Sequence, residues 1–258
     1  MKKEILLGDC LELMKDIPNG SIDMILCDLP YGRTACKWDV VIPFEPLWEQ
    51  YKRIIKDRGA IVLFGSQPFT STLVMSNLKM FKYEWIWEKD KPNNFALANK
   101  QPMKYHENIL VFYEKQPTFN KQLEPRKGGG KSRFKYPVDN SKRKSEHNNI
   151  QDDVKMFNPD LKNPSSIQFI STGRRQDLIH PTQKPVKLME YLIRTYTNEG
   201  DLVLDNAAGS GTTAIACLNT NRQFIVMEKE QKYYDIILKR VADFNKIFEQ
   251  KTLFGNEM

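Results

Sequence analysis

The sequence predicts an α/β protein built on a mostly parallel sheet, and three observations carry that expectation. Short apolar runs bounded by Gly, Pro or Asp recur along the chain, as strands buried on both faces require. Segments with helical spacing alternate with those runs. A glycine-rich turn, Asp205-Asn206-Ala207-Ala208-Gly209-Ser210-Gly211-Thr212-Thr213, stands between a strand and a helix, where a doubly wound sheet forms its ligand crevice.

Taken in order, residues 5–7, 22–27, 60–64, 83–87 and 108–113 read as strands. Residues 44–56 read as a helix with Leu47, Trp48, Tyr51, Ile54 and Ile55 on one side. From Lys115 to about Asp177 the apolar periodicity gives way to Gly128-Gly129-Gly130, prolines and many Lys, Asn and Ser residues. A segment of this length with little core of its own reads as a functional insertion. Order returns near His180. Residues 186–196 form an amphipathic helix, 202–204 a strand, 212–218 a helix after the Gly-rich turn, and 224–227 a strand. A closing helix carries Tyr234, Ile237, Leu238, Val241, Phe244 and Phe248 on its apolar side. The chain thus divides into 1–114, an inserted region 115–178, and 179–258, with one sheet assembled from both outer parts.

Charge separates the insertion from the rest. Residues 115–150 hold ten Lys/Arg against three Asp/Glu, while the remaining chain is balanced at 29 against 29, so the whole net charge of +7 sits in one segment. Such a patch is an electrostatic footprint for a polyanion; its bland counterpart is a solvated loop. Other classes are disfavoured. The N-terminal apolar run is too short for a signal peptide, and no stretch approaches the ~20 apolar residues of a membrane span. Cys10, Cys27, Cys36 and Cys217 show no CxxC pairing, and His106, His147 and His180 are scattered, so neither a disulfide framework nor a metal site is expected. A reducing cytoplasm is the expected setting.

Two constellations carry chemistry. The turn at 205–213 is neither GxxxxGK[ST] nor GxGxxG, which disfavours a phosphate-cradling loop and a dinucleotide site. About twenty residues on, Glu228 ends the next strand, where an acidic side chain accepts hydrogen bonds from a ribose diol. The second constellation, Asp28-Leu29-Pro30-Tyr31-Gly32, ends the strand at 22–27. An aromatic amine is a poor nucleophile because its lone pair is delocalised into the ring. A carboxylate and a carbonyl that hold the two amine hydrogens draw the nitrogen toward tetrahedral geometry, and a proline fixes the turn that aims such a carbonyl. An adjacent aromatic offers a stacking face to a base removed from a duplex.

Together these motifs resemble the amino-group DNA methyltransferases of permuted, beta-type order, in which the catalytic motif precedes the target-recognition region and the cofactor motif comes last. Asp28-Leu29-Pro30-Tyr31 resembles the family's (D/N/S)PP(Y/F) motif with Leu for the first Pro. His180-Pro181-Thr182-Gln183-Lys184-Pro185 matches its HPTQKP segment, and 205–213 is similar to its DPFxGSGTT loop, with Asn206-Ala207-Ala208 where Pro-Phe-x is commoner. Gly8-Asp9-Cys10 and His106-Glu107-Asn108 resemble further family elements, so the likeness covers nearly everything outside 115–178.

The resemblance implies a Rossmann-like, seven-strand, mostly parallel sheet that binds S-adenosylmethionine, with an inserted target-recognition region. It implies cofactor contacts from Asp9 in the adenine region, Glu228 on the ribose, Asp205, Gly209 and Gly211 on the methionine side and Lys184 as a candidate for its carboxylate, with Cys10, Asp28, Ala207, Ser210 and Thr212 as further cofactor-binding residues. Asp28 and the Pro30 carbonyl would grip the target amine and Tyr31 would stack on the flipped base. Asp at position 28 favours adenine N6, with cytosine N4 as the alternative. The implied partner is double-stranded DNA; a homodimer and a cognate restriction endonuclease are further partners the family allows.

Lys127, Lys131, Arg133, Lys142, Arg143 and Lys144 are candidate phosphate contacts, and Arg174 and Arg175 candidate base readers, each balanced against a plain surface role. Phe119, Phe134 and Tyr136 either stack on DNA or form a small local core. Two other classes stay in view: a nucleotide oxidoreductase, which the missing GxGxxG disfavours, and a basic nucleic-acid-binding module without catalysis. Neutralising Lys142, Arg143 and Lys144 together should weaken DNA binding and flatten its salt dependence while cofactor affinity holds. Salt-titrated binding isotherms with DNA and with cofactor check this; a fall in cofactor binding would assign the cluster to the fold.

Overall fold

The computed structural model describes residues 2–32, 39–126, 160–173 and 183–254, with side chains of the last helix through residue 247. In chain order these form β1 (Lys3–Leu7), α1 (Cys10–Leu13), β2 (Ile22–Cys27), α2 (Phe44–Ile54), β3 (Ile55–Gly65), α3 (Phe69–Ser76), β4 (Phe81–Asn93), β5 (Lys104–Phe112), β6 (Glu124–Pro125), β7 (Leu161–Lys162) and β8 (Ile167–Phe169). There follow α4 (Val186–Tyr196), β9 (Leu202–Asp205), α5 (Thr212–Asn219), β10 (Gln223–Glu228) and α6 (Gln231–Phe254). The chain divides into two compact units, Met1–Asn120 with Ser166–Met258, and Lys121–Ser165.

In the larger unit one sheet runs β1-β10-β9-β2-β3-β5-β4-β8. β1, β10, β9, β2 and β3 are mutually parallel, β5 is antiparallel to both neighbours, and β4 pairs parallel with the edge strand β8. Among the described residues eight strands are therefore joined, and the eighth comes from within the segment read as insertion. The strands beside the site are buried runs: β2, from Ile22 to Cys27, has every residue but Asp23 buried. That is why its sequence shows no alternation. α4, α5 and α6 cover one face, where Met24, Leu26, Val62, Val111, Leu192, Val203 and Ile237 share a core. α1, α2 and α3 cover the other, around Ile25, Cys27, Leu47, Tyr51, Leu63 and Leu73.

β9 and β2 are neighbours, with Met24 opposite Val203 and Ile25 opposite Leu204. β9 leads through α5 to β10 on one side, whereas β2 leads through α2 to β3 on the other. Their carboxyl ends therefore open a crevice at the point where the winding reverses, the place such sheets bind ligands. Because β5 is antiparallel, its amino end and the carboxyl end of β4 meet at this same edge.

The helix predicted at 186–196 is present as α4; that predicted at 44–56 is present as α2 but ends at Ile54, Ile55 and Lys56 already belonging to β3. α1 and α3 were not legible: α1 has only four residues, held at its start by the Asp9 carboxylate accepting from the Leu11 amide at 3.0 Å. Trp85 and Trp87 are core residues, their indole N–H groups donating to the Tyr196 hydroxyl and the Ile170 carbonyl. Phe119 stacks against Trp85 at 6.4 Å, a core role; Phe134 and Tyr136 lie outside the described residues.

In the smaller unit, β6 and β7 pair antiparallel with Glu124 opposite Lys162. Lys162 forms an ion pair with Glu124 at 2.9 Å, and Arg126 Nε donates to the Leu161 carbonyl at 2.8 Å.

Gly211 turns the chain from the β9 loop into α5 at φ 78, and a Cβ there would lie 2.9 Å from two side-chain carbons of Ile237. Ile237 is fully buried. Gly211→Ala should therefore cost about 1–3 kcal/mol from backbone conformation and crowding together. Urea denaturation checks the loss; an unchanged midpoint would mean α6 shifts freely.

Candidate active site

The crevice at the switch point is a cleft of about 1290 Å3, larger than the roughly 300–1,000 Å3 of an ordinary small-molecule site. It has room for a nucleoside-sized molecule and a second planar group. One wall is the loop after β9. The Asp205 carboxylate accepts from the Ala207 amide at 3.1 Å and from the Thr213 hydroxyl, with the Cys27 thiol beside it. Burial pushes its pKa up to about 6 against the pull of those donors. Asp205 thus braces the loop from inside. Asn206, where the resemblance expects a proline, accepts from the buried Tyr51 hydroxyl at 2.6 Å and donates to Cys10 Sγ at 3.5 Å. The departure from the family pattern is anchored by α2.

Opposite lies the end of β10. Glu228 Oε2 accepts from the Gly209 amide at 2.8 Å and Oε1 from the Glu230 amide at 2.9 Å. Burial raises its pKa and those backbone donors oppose the rise. Each oxygen keeps a lone pair for a further donor. Asp9 is exposed and its Oδ2 sits 3.2 Å from Lys229 Nζ. Ser210 donates to Gln183 at 3.1 Å, and Arg240 holds the Ser210 carbonyl at 2.6 Å.

The floor is the loop after β2. Leu29, in place of the family's first proline, is 3% exposed and packs into the core under α1–α3. Pro30 lines the cleft. The Tyr31 hydroxyl donates to Asp28 Oδ1 at 2.7 Å, and its ring packs on Phe69 at 4.8 Å. The Gly32 amide donates to Asp39 Oδ1 at 2.8 Å, which ties down the far side of the loop.

Asp28 Oδ2 meets Lys184 Nζ at 2.5 Å, and that ammonium lies 3.2 Å from Glu107 Oε2. Glu107 Oε1 in turn lies 3.0 Å from Lys89 Nζ. Lys184 also stands 5.2 Å from the centre of the Phe64 ring. Burial pushes Asp28 up and Lys184 pulls it back only in part. For Glu107 burial acts upward too, but Lys184 and Lys89 outweigh it and hold its pKa at about 2. Lys184, opposed by burial, is raised by Asp28 and Glu107 and stays protonated.

Asp9, Cys10, Asp28, Pro30, Tyr31, Lys184, Asp205, Ala207, Gly209, Ser210, Thr212 and Glu228 all line this one cleft. Gly211 does not; it packs on α6. Lys184 has two protein carboxylates as partners, which argues against the methionine carboxylate as its counter-ion. Lys127, Lys131, Arg133, Lys142, Arg143, Lys144, Arg174 and Arg175 lie outside the described residues, as do His180, Pro181 and Thr182. Lys89 and Glu107 were missed as site residues. The available signal was period two: Trp85, Trp87 and Lys89 fall on one face of β4, and a lysine in line with two buried tryptophans marks a buried cation.

Residues 22–239 match the DNA methylase family, N6_N4_Mtase. The chain belongs to that family. Among its relatives are the type II methyltransferase M.HpaI of Haemophilus parainfluenzae, 25% identical over 95% of this chain and 76% of that protein, and the DNA adenine methyltransferase YhdJ of Escherichia coli (strain K12), 28% identical over 93% and 82%. Similar solved structures include the M1.HpyAVI–SAM complex, 24% identical with a TM-score of 0.61, covering 92% of this chain and 98% of that one. The PvuII DNA methyltransferase (cytosine-N4-specific) shares the fold at 16% identity and a TM-score of 0.65, over 92% of this chain and 86% of that one.

In this methylase, Lys184→Met would leave Asp28 and Glu107 facing each other with their shared cation gone. Breaking a buried pair in this way should cost roughly 3–5 kcal/mol at neutral pH. Glu107 is depressed from its ordinary 4.5 to about 2, so the stability it contributes is complete above about pH 4.5 and lost as pH falls toward about 2. The gap between wild type and Lys184→Met should narrow over that window. Thermal melts from pH 7 to pH 3 check it; a gap independent of pH would mean the loss is one of packing alone.

Proposed function

We propose that this protein transfers a methyl group from S-adenosylmethionine to the exocyclic amino group of a flipped base in double-stranded DNA, with adenine N6 as the target. The observation that carries the reading is the meeting of Asp28, Pro30 and Tyr31 with the Gly209 loop and Glu228 in one cleft of a DNA methylase-family chain. The donor set suits the cofactor: Glu228 offers two acceptors to a ribose diol, Asp9 sits at the same end, and backbone amides of a glycine loop approach closely. When bound, S-adenosylmethionine supplies an electrophilic methyl group on a sulfonium.

The chain's own residues then do positioning work, which suffices for an in-line displacement. Asp28 accepts one amine hydrogen and the Pro30 carbonyl the other, turning the nitrogen lone pair toward the methyl group. Gaining the methyl carbon as the cofactor's S–C bond breaks to leave a neutral thioether, the nitrogen would carry one proton too many, and Asp28, whose burial raises its proton affinity, would take it. Tyr31 holds Asp28 through its hydroxyl and offers its ring to the base. Asp28 and the adenine methyltransferase among the relatives favour adenine; the cytosine-N4-specific structural relative keeps cytosine N4 as the competing product. We further propose that the protein works in the cytoplasm, with a homodimer and a cognate restriction endonuclease as candidate partners.

Incubation with DNA and methyl-labelled cofactor should label DNA, and Asp28→Ala should lower that label at least ~100-fold while cofactor binding stays within a few-fold. Equal labelling by Asp28→Ala would remove the role assigned here. Sequencing of modified bases should return N6-methyladenine; N4-methylcytosine would overturn the choice of base.

A further inference from the structure

We infer that Glu107, backed by Lys89, is a positioning residue for methyl transfer: it anchors Lys184 so that the ammonium engages Asp28 at Oδ2 and leaves the remaining carboxylate lone pairs to the target amine. The inference rests on the function proposed above and assigns work to two residues outside the catalytic and cofactor motifs.

Geometry makes the first argument. Lys89, Glu107, Lys184, Asp28 and Tyr31 form one unbroken line with successive contacts of 3.0, 3.2, 2.5 and 2.7 Å. The members come from β4, β5, the turn before α4 and the loop after β2. Strand alternation places Lys89 in line with Trp85 and Trp87, and Glu107 in line with Ile109 and Val111, on the face α4 covers. The antiparallel register puts Glu107 opposite Trp87, one step from Lys89, at the sheet edge where the cleft opens. Lys184 precedes Pro185, which biases it toward extended backbone and away from α4.

Cost makes the second argument. The side chains of Lys89, Glu107 and Lys184 are 2%, 13% and 9% exposed. Burying each charge costs several kcal/mol, and well-packed apolar groups in such places are often as stable or more so. The line is therefore poorly explained as a device for stability. It carries two cations and two carboxylates, so it balances, and each inner member is held from both sides.

The third argument concerns Asp28 itself. If Lys184 had only Asp28 for a partner, its full charge would fall on the carboxylate and weaken it as an acceptor for the amine. Glu107 draws the ammonium from the other side, and Lys89 keeps Glu107 an anion. Among the described residues, the groups facing Asp28 are Tyr31 and Cys27 on its own strand and loop, Lys184 before α4, Glu107 on β5 with Lys89 behind it on β4, and Asp205 on β9. Of these, only Glu107 and Lys89 alter Lys184 without touching the target amine or the loop that carries it.

The test is a pH profile of kcat for methyl transfer to DNA, with KM for cofactor measured alongside. Glu107→Gln should lower kcat by between about tenfold and a hundredfold, leave the cofactor KM within about twofold, and move the acid limb about one unit lower, since an anion near Asp28 is gone. Lys89→Met should move the same limb higher, because Glu107 then acts on Asp28 less compensated. Glu107→Asp should restore part of the Glu107→Gln loss. Lys89→Met keeps the test decisive if Glu107→Gln fails to fold. Limbs that coincide with wild type in the folded variants overturn the positioning role and leave the methyl-transfer reading standing. Wild-type protein that labels no DNA overturns that reading itself.

Discussion

A single ion pair joins the two ends of this chain's chemistry. Lys184 Nζ and Asp28 Oδ2 meet across 156 residues of sequence, and Glu107, Lys89 and Tyr31 extend that contact at either end. A carboxylate just past the end of a strand buried at every residue but Asp23 is costly to keep charged. The ammonium lowers that cost without abolishing it, so Asp28 stays an acceptor of raised proton affinity. The pair also fixes where α4 begins relative to β2, because Lys184 stands two residues before the helix.

Three further carboxylates lining the cleft are held by donors from the chain itself. Asp205 is clasped by Thr213 and the Ala207 amide, Glu228 by the Gly209 and Glu230 amides, Asp39 by the Gly32 amide. Loops at the carboxyl ends of strands are the irregular parts of such a sheet, and internal bracing makes them rigid before any ligand arrives. Such preorganisation is what a positioning mechanism requires.

Much of this was legible in the sequence because buried strands and Gly-rich turns leave local signals. The runs at 22–27 and 202–204 and the helices beginning at 44 and 186 follow from composition and period, while the Asp28 loop gained its meaning from its residue chemistry and the family resemblance. What was not legible depends on tertiary pairing. β8 has three residues and gains its identity only from β4. Asn206 gains its partner Tyr51 from a helix 155 positions away. Lys184 read as a ligand for an anionic substrate group because nothing local shows that Asp28 and Glu107 converge on it. Glu107 lay within a recognised family element, yet only the antiparallel register of β4 and β5 reveals what it touches.

The β6–β7 pair of the smaller unit bears on how much the length of chain between its strands can vary. Glu124, Arg126, Leu161 and Lys162 clip together the two ends of everything between residues 126 and 160. The entropic cost of closing a loop grows only as the logarithm of its length once its ends are fixed together. Insertions or deletions between the two strands of that clip should therefore carry little thermodynamic penalty, and neither β2 nor β9 contributes a residue to it.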